Sequence, residues 1–215
     1  MTSAPPSAPF DPIFDSQTMF RTVLDAMARP GSVGTLAASD PGCPLAEAGP
    51  LVALARTLLD HEVSFAVAPQ DGAGDDAWAT ELAQHLVATT GSRPTSPDEA
   101  DYVIARAPLA RGLLTGLKRG SLAFPDDNAT LIILTPAMAP DTTPGIAQAD
   151  AGLRVTLTGP GVPGQLVARL SGLTAHILVE RQEANGEAPR GLDLILVDQI
   201  GRVVCLPRTT AIHAD

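Results

Sequence analysis

The stretch "GLDLILVDQIGRVVCLPRTT" (residues 191–210) contains two apolar runs separated by a short polar break at Asp198–Gly201. Runs of that length, rich in Leu, Ile and Val and parted by Asp and Gly, predict a β-hairpin over residues 193–209. The chain therefore has at least one antiparallel strand pair near its end. Upstream, segments of period 3.6 alternate with segments of period 2 through the first two-thirds of the sequence. That alternation predicts an α/β fold with helices covering a mixed sheet.

Working outward from the hairpin, "DSQTMFRTVLDAMARPG" (15–31) predicts a helix. Met19, Phe20, Val23, Leu24 and Met27 form its apolar face, Asp15 or Ser16 its N-cap, and Pro30-Gly31 its end. "SVGTL" (32–36) reads as a short strand and "GPLVALARTLLD" (49–60) as a second amphipathic helix. "EVSFAVAP" (62–69) alternates as a strand. "DDAWATELAQHLVATTG" (75–91) is a helix capped at Asp75 or Asp76 and closed by Gly91. "ADYVIAR" (100–106), "ATLIILTP" (129–136) and "GLRVTLTGPG" (152–161) read as strands, "APLARGLLTGLKRG" (107–120) as a short helix, and 137–149 as a Pro-rich surface loop. "TAHILVERQEANG" (174–186) suits helix or strand by pattern, and its charged tail favours helix. Residues 1–14, rich in Pro, Ala and Ser, are expected to be a loose arm, and 15–215 a single domain.

Composition narrows the function. The 215 residues carry a formal charge of −10, with Lys118 the lone lysine. A chain this acidic lacks the positive field that drives nonspecific nucleic-acid binding. Aromatic residues make up 3%, too few for base-stacking platforms. A small anion needs only one or two local arginines, so it remains compatible. Cys43 and Cys205 stand far apart without metal-ligand spacing, and Cys205 sits in an apolar run as a small buried hydrophobe. The N-terminus has neither the basic nor the apolar region of a secretory signal, and no apolar run reaches the ~18 residues of a membrane span, so the expected compartment is the cytoplasm.

The sequence has no phosphate-binding GxxxxGK[ST], no GxGxxG after a strand, no HExxH and no GxSxG. His61, His85, His176 and His213 are scattered; His61 and His85 read as surface or capping residues. Lys118, in "GLKRGS", reads as a solvated loop charge rather than a Schiff-base lysine. "GPGVPG" (159–164) reads as a rigid turn, because its prolines remove two of the donors an anion nest would need. Arg29 complements a helix C-terminus. For Arg208, Thr209 and Thr210 two readings stand. A polar strand end is the simpler. An anion grip is the alternative, since a guanidinium fork beside two hydroxyls suits phosphate or phosphonate oxygens.

Four stretches, in order along the chain, resemble the PhnH family, one component of the bacterial carbon–phosphorus lyase system for phosphonate degradation. They are "FRTVLDAMARPG" (20–31), "GSLAFPDDNATLIIL" (120–134), "LTGPGV" (157–162) and "GLDLILVDQIGRVVCLPRTT" (191–210). The signature positions are Phe20, Arg21, Arg29, Pro30, Gly31, Asp193, Pro207 and Arg208. The resemblance implies a three-layer α/β/α mixed sheet like that of pyridoxal-phosphate-dependent transferases, used without that cofactor and without the Schiff-base lysine. It also implies a homodimer when isolated and a core complex with subunits G, I and J. That complex replaces the adenine of ATP by an alkylphosphonate, giving a ribose 1-phosphonate 5-triphosphate. No catalytic residue of the PhnH component is implied. The leading expectation is an assembly subunit, probed by its turnover alone. A phosphate or phosphonate site at Arg208, Thr209 and Thr210 comes second, and a pyridoxal-phosphate enzyme using Lys118 third.

Overall fold

The structure, a computed structural model, describes residues 9–37, 42–70, 76–136 and 152–214. Helix α1 (Phe14–Ala28) begins earlier than its sequence suggests. Its start is held by Asp11, whose Oδ1 accepts the N–H groups of Ile13 (2.8 Å) and Phe14 (3.0 Å). Asp15, expected as a cap, instead accepts the Asp11 N–H at 2.8 Å. The N-cap position falls on Ile13, which makes no side-chain capping bond, rather than on Asp15 or Ser16, and Asp11 holds the turn leading into it. Asp15 lies in the first turn and Asp11 ahead of it, a placement that residue preference alone does not predict. Those two backbone donors, Phe14 first, hold the Asp11 carboxyl below the usual carboxylate range. In the segment expected as a loose arm, Phe10 is 8% exposed and the Arg56 guanidinium lies 4.4 Å from its ring centroid. Residues 1–8 fall outside the described residues.

Strand β1 (Gly34–Thr35) is followed by a 3-10 turn (Ala46–Ala48) and helix α2 (Gly49–Leu58). Next come β2 (Ser64–Val67) and α3 (Ala77–Thr90). Helix α3 has the ends its sequence predicts: Asp76 accepts the Ala79 N–H, and Gly91 closes it at φ +70°. Strands β3 (Arg93–Pro94) and β4 (Tyr102–Arg106) lead to α4 (Leu113–Gly116), a single turn within the segment 107–120 that reads as a short helix. Gly112 and the Leu117 cap bound it. Strand β5 (Thr130–Thr135) follows, and the expected loop at 137–149 lies outside the described residues.

The last third holds β6 (Leu153–Thr158), β7 (Leu166–Leu170), α5 (Ala175–Ala184), β8 (Asp193–Asp198), β9 (Arg202–Leu206) and β10 (Ala211–Ala214). The segment of mixed pattern at 174–186 is helix α5, as its charged tail suggests. Strands β8 and β9 form the predicted hairpin, with Leu194 opposite Leu206 and Val197 opposite Val203. Its turn is fixed by Asp198, whose Oδ1 accepts the N–H groups of Ile200 and Arg202. Gly201 takes the φ of +86° that this tight reversal needs.

The main sheet has seven strands in the order β1-β9-β8-β5-β4-β2-β3. Strands β3, β2, β4, β5 and β8 run parallel, while β9 and β1 add antiparallel pairs at one edge. Its inner strands bury both faces. Leu131, Ile133, Leu194 and Leu196 point into one core cluster, and Ile132, Leu134, Ile195 and Val197 into the other. Helices α1, α2 and α3 supply the second cluster with Met19, Val23, Leu51, Leu54, Trp78 and Leu82. The layer on the opposite face is not helix alone. Alongside α4 and α5 it contains a separate three-stranded antiparallel sheet, β10-β6-β7. The strand expected at Leu153–Leu157 thus exists, but it leaves the main sheet to pair with two strands the sequence pattern does not reveal. No described helix is long and apolar enough to cross a membrane.

Candidate functional site

Hairpin register brings a polar cluster together. One step outward from the Leu194–Leu206 pair, Asp193 opens β8 beside Pro207, which follows β9. Asp193 Oδ1 accepts the Arg208 N–H at 2.7 Å, and Asp193 Oδ2 accepts from Asn128 Nδ2 at 3.0 Å. Arg208 Nη1 donates to Asn128 Oδ1 (2.6 Å) and to the Pro125 carbonyl (2.7 Å), and lies 3.9 Å from Asp193 Oδ2. Arg208 thereby ties the hairpin end to the 125–128 turn that precedes β5.

From α5, Arg181 reaches the same turn. Its Nη2 donates to the Pro207 carbonyl (2.7 Å) and the Leu206 carbonyl (3.3 Å), and its Nη1 to the Thr210 carbonyl (3.0 Å). One helical turn later, Asn185 Nδ2 donates to the carbonyls of Leu192 and Arg208, while its Oδ1 accepts the Leu192 N–H. Helix α5 thus holds a turn lacking regular strand pairing by satisfying its carbonyls, which would otherwise be buried without donors.

Glycines draw the remaining signature segments to this place. A Cβ on Gly161 (φ +80°) would overlap the Ala28 carbonyl oxygen and stand 2.9 Å from Pro30 Cδ. One on Gly159 would stand 2.8 Å from the Thr209 carbonyl oxygen. Gly31 (φ +82°) packs where a Cβ would meet Leu157 and Leu166 at 2.6 Å. The 159–161 turn is therefore wedged between the end of α1 and the β9–β10 turn, and only glycine permits both approaches. Pro30 and Gly31 are buried there, whereas Arg29 is exposed with its guanidinium 3.3 Å from Asp25. Phe20 and Arg21 lie on the exposed side of α1.

A cavity of about 300 Å³ opens between α5 and the β9–β10 turn. Arg208, Thr209 and Thr210, predicted together, all line it, joined by Arg181, Gln182, Asn185 and His213. None of the residues lining it is acidic. Arg181 is 3% exposed, and burial pushes its guanidinium down to about 10, with the charge of Asp193 acting in the opposite direction. Its Nε lacks a partner, as does the hydroxyl of Thr210, a residue 2% exposed. The sequence does not single out Arg181, and it shows His213 only as one of four scattered histidines. One sits in an ordinary charged helix tail, the other in a short polar strand, and no local signal marks either.

Elsewhere the structure changes the reading of Lys118. The lysine is not a solvated loop charge: its side chain is 21% exposed, and Nζ lies 2.5 Å from Asp101 and 2.9 Å from Asp127. Burial acts to lower its pKa, but hydrogen bonds to Asp101 and then Asp127 outweigh this and raise it. A Schiff base requires the neutral amine, and this setting holds the ammonium. His61 is exposed; His85 is half-buried and pushed down by burial first and the Arg56 charge second. Cys205 is fully buried, its thiol pushed up to about 12 by burial. Among the described residues no cluster of His, Cys, Asp and Glu could hold a metal.

The family model for a bacterial phosphonate metabolism protein (PhnH) matches residues 8–213. The chain is 31% identical over 209 residues to the alpha-D-ribose 1-methylphosphonate 5-triphosphate synthase subunit PhnH of Rhizobium meliloti (strain 1021), covering 95% of this chain and 94% of that one. It is also 31% identical over 198 residues to a protein of Stutzerimonas stutzeri named as a C-P lyase subunit, HtxG, covering 92% and 85%.

Proposed function

The chain belongs to the PhnH family of bacterial phosphonate metabolism proteins, and from that premise we propose that it is a subunit of the carbon–phosphorus lyase core complex. In that complex it would support transfer of the ribose triphosphate of ATP to an alkylphosphonate, with release of adenine. Its role is to supply surface and scaffold, in the cytoplasm, as a homodimer when alone and beside subunits G, I and J when assembled. The layered mixed sheet supports reading the architecture as that of the pyridoxal-phosphate transferases, used here without the cofactor.

The observation that carries this reading is the outer face of α1. Ile13, Phe20 and Leu24 fall within about 40° of one line on a helix turning about 100° per residue. They are 74%, 47% and 51% exposed, with Phe14 alongside at 70%. The buried residues Met19, Val23 and Ala26 occupy a different face. Phe20 and Arg21 belong to the family signature yet contribute nothing to the core. A large apolar stripe kept in water is costly to a lone chain and useful to a subunit.

The test is co-expression of the tagged chain with candidate subunits G, I and J, followed by sizing. Co-elution is expected, and a Phe20→Ser/Leu24→Ser variant should fold but co-elute poorly. Undiminished co-elution of that variant would refute this surface. A monomeric variant that still co-elutes would assign the stripe to the second copy instead. Turnover of ATP and alkylphosphonate by the isolated chain would overturn the scaffold role.

A further inference from the structure

We propose that the cavity between α5 and the β9–β10 turn binds a small tetrahedral oxyanion of the phosphate or phosphonate class, held by Arg181 and Arg208 with Thr209, Thr210 and His213 at its wall. In a chain of formal charge −10, this cavity is lined by two arginines and a histidine and by no carboxylate. Local concentration of positive charge against an acidic background is what a small-anion site requires.

Arg181 is a buried cation whose direct contacts are all neutral. Arg181, only 3% exposed, donates to carbonyl oxygens alone, at 2.7, 3.0 and 3.3 Å. Carbonyl dipoles satisfy hydrogen bonds but do not neutralise the charge, and Asp193, which contacts Arg208 rather than Arg181, offsets only part of the cost of burying it. Its Nε and the Thr210 hydroxyl are buried without partners, on two residues that line the cavity. An anion there would supply countercharge to the buried guanidinium.

The cavity volume of about 300 Å³ lies at the small end of ligand sites, which run from roughly 300 to 1,000 Å³. That space suits an oxyanion with a short substituent rather than a whole nucleoside triphosphate. Leu178, Ala188 and Ile212 add an apolar wall that an alkyl group would contact. The choice of a phosphonate as probe rests on the family reading above; the anion chemistry does not.

The experiment is a titration of the full chain with inorganic phosphate and, separately, with methylphosphonate, followed by calorimetry and by ³¹P line shape. Saturable binding at one site is expected, with methylphosphonate the tighter of the two. Arg181→Ala risks unfolding the turn, so the deciding variant is Thr209→Glu, an exposed position where a carboxylate meets the anion. It should weaken binding at least about tenfold, while Arg93→Ala on the distant edge strand β3 should not. Absence of saturable binding overturns the proposal, as does equal binding by wild type and Thr209→Glu or equal loss in Arg93→Ala. Preference for phosphate over methylphosphonate would overturn the role of the apolar wall. The subunit assignment is read separately: intact co-elution without binding sinks this site alone, and binding without co-elution sinks the assembly reading alone.

Discussion

Gly161→Ala tests whether the 159–161 turn is wedged between the end of α1 and the β9–β10 turn. Two costs apply. The residue has φ +80°, where an alanine is strained by about 1–2 kcal/mol. Its new Cβ would also overlap the Ala28 carbonyl oxygen and crowd Pro30 Cδ at 2.9 Å. Both neighbours are backbone or ring atoms at a helix end that is itself packed, so relief requires moving α1. Overpacking of that kind costs about 1–3 kcal/mol. The sum is about 2–5 kcal/mol, and for a chain of this size each kcal/mol lowers Tm by about 2–4 °C. Gly164→Ala is the matched control: its φ is +69°, and no atom lies within 4 Å of the added Cβ. It should show the conformational cost alone. Thermal unfolding followed by circular dichroism, run on both variants, isolates the contact contribution as their difference. Equal losses in the two would refute the wedge.

Lys118→Met removes the ammonium shared by Asp101 and Asp127; with Asp101 36% exposed, screening limits the loss to about 1–2 kcal/mol in urea unfolding. Burial acts to raise the Asp101 carboxyl, yet hydrogen bonds from Lys118 and Ser64 leave it lowered. Its contribution is therefore present above about pH 4, the ordinary aspartate value, and lost as pH falls through the lower folded value. The lysine, raised above 10.5, contributes fully below that value and loses its contribution as pH rises through the folded one. Across pH, the variant's stability curve should be flatter than wild type at both ends. Phe20→Ser/Leu24→Ser should change the Tm of the isolated chain by less than about 4 °C, because exposed positions stay near ±0.5 kcal/mol each. Cys205, 0% exposed and with its thiol pushed up to about 12, should react with a thiol reagent only as fast as the chain unfolds.

The sequence by itself determined the segments whose pattern is local. Helices α1, α2 and α3, strands β2, β4, β5 and β6 and the β8–β9 hairpin each carry a period of 3.6 or 2 that burial of one or both faces imposes. It also marked Arg208, Thr209 and Thr210 as belonging together, because three residues in a row cannot be far apart. Tertiary structure decided what those residues face. Strand β10 is short, with Ala211 and His213 exposed, so no apolar run announces it, and β7, though four of its five residues are apolar, lacks a clean alternation, with Val167 only half-buried. They exist because β6 offers them backbone partners. The same holds for Arg181, which looks like any charge in a helix tail until α5 docks beneath the β9–β10 turn and buries it. It holds too for Lys118, whose carboxylate Asp101 lies 17 residues away and reaches it only once β4 is laid beside β5. Periodicity records how each segment meets water. Which segment meets which is fixed by backbone pairing and packing across long separations, and the proposed anion cavity is a product of that second kind of information.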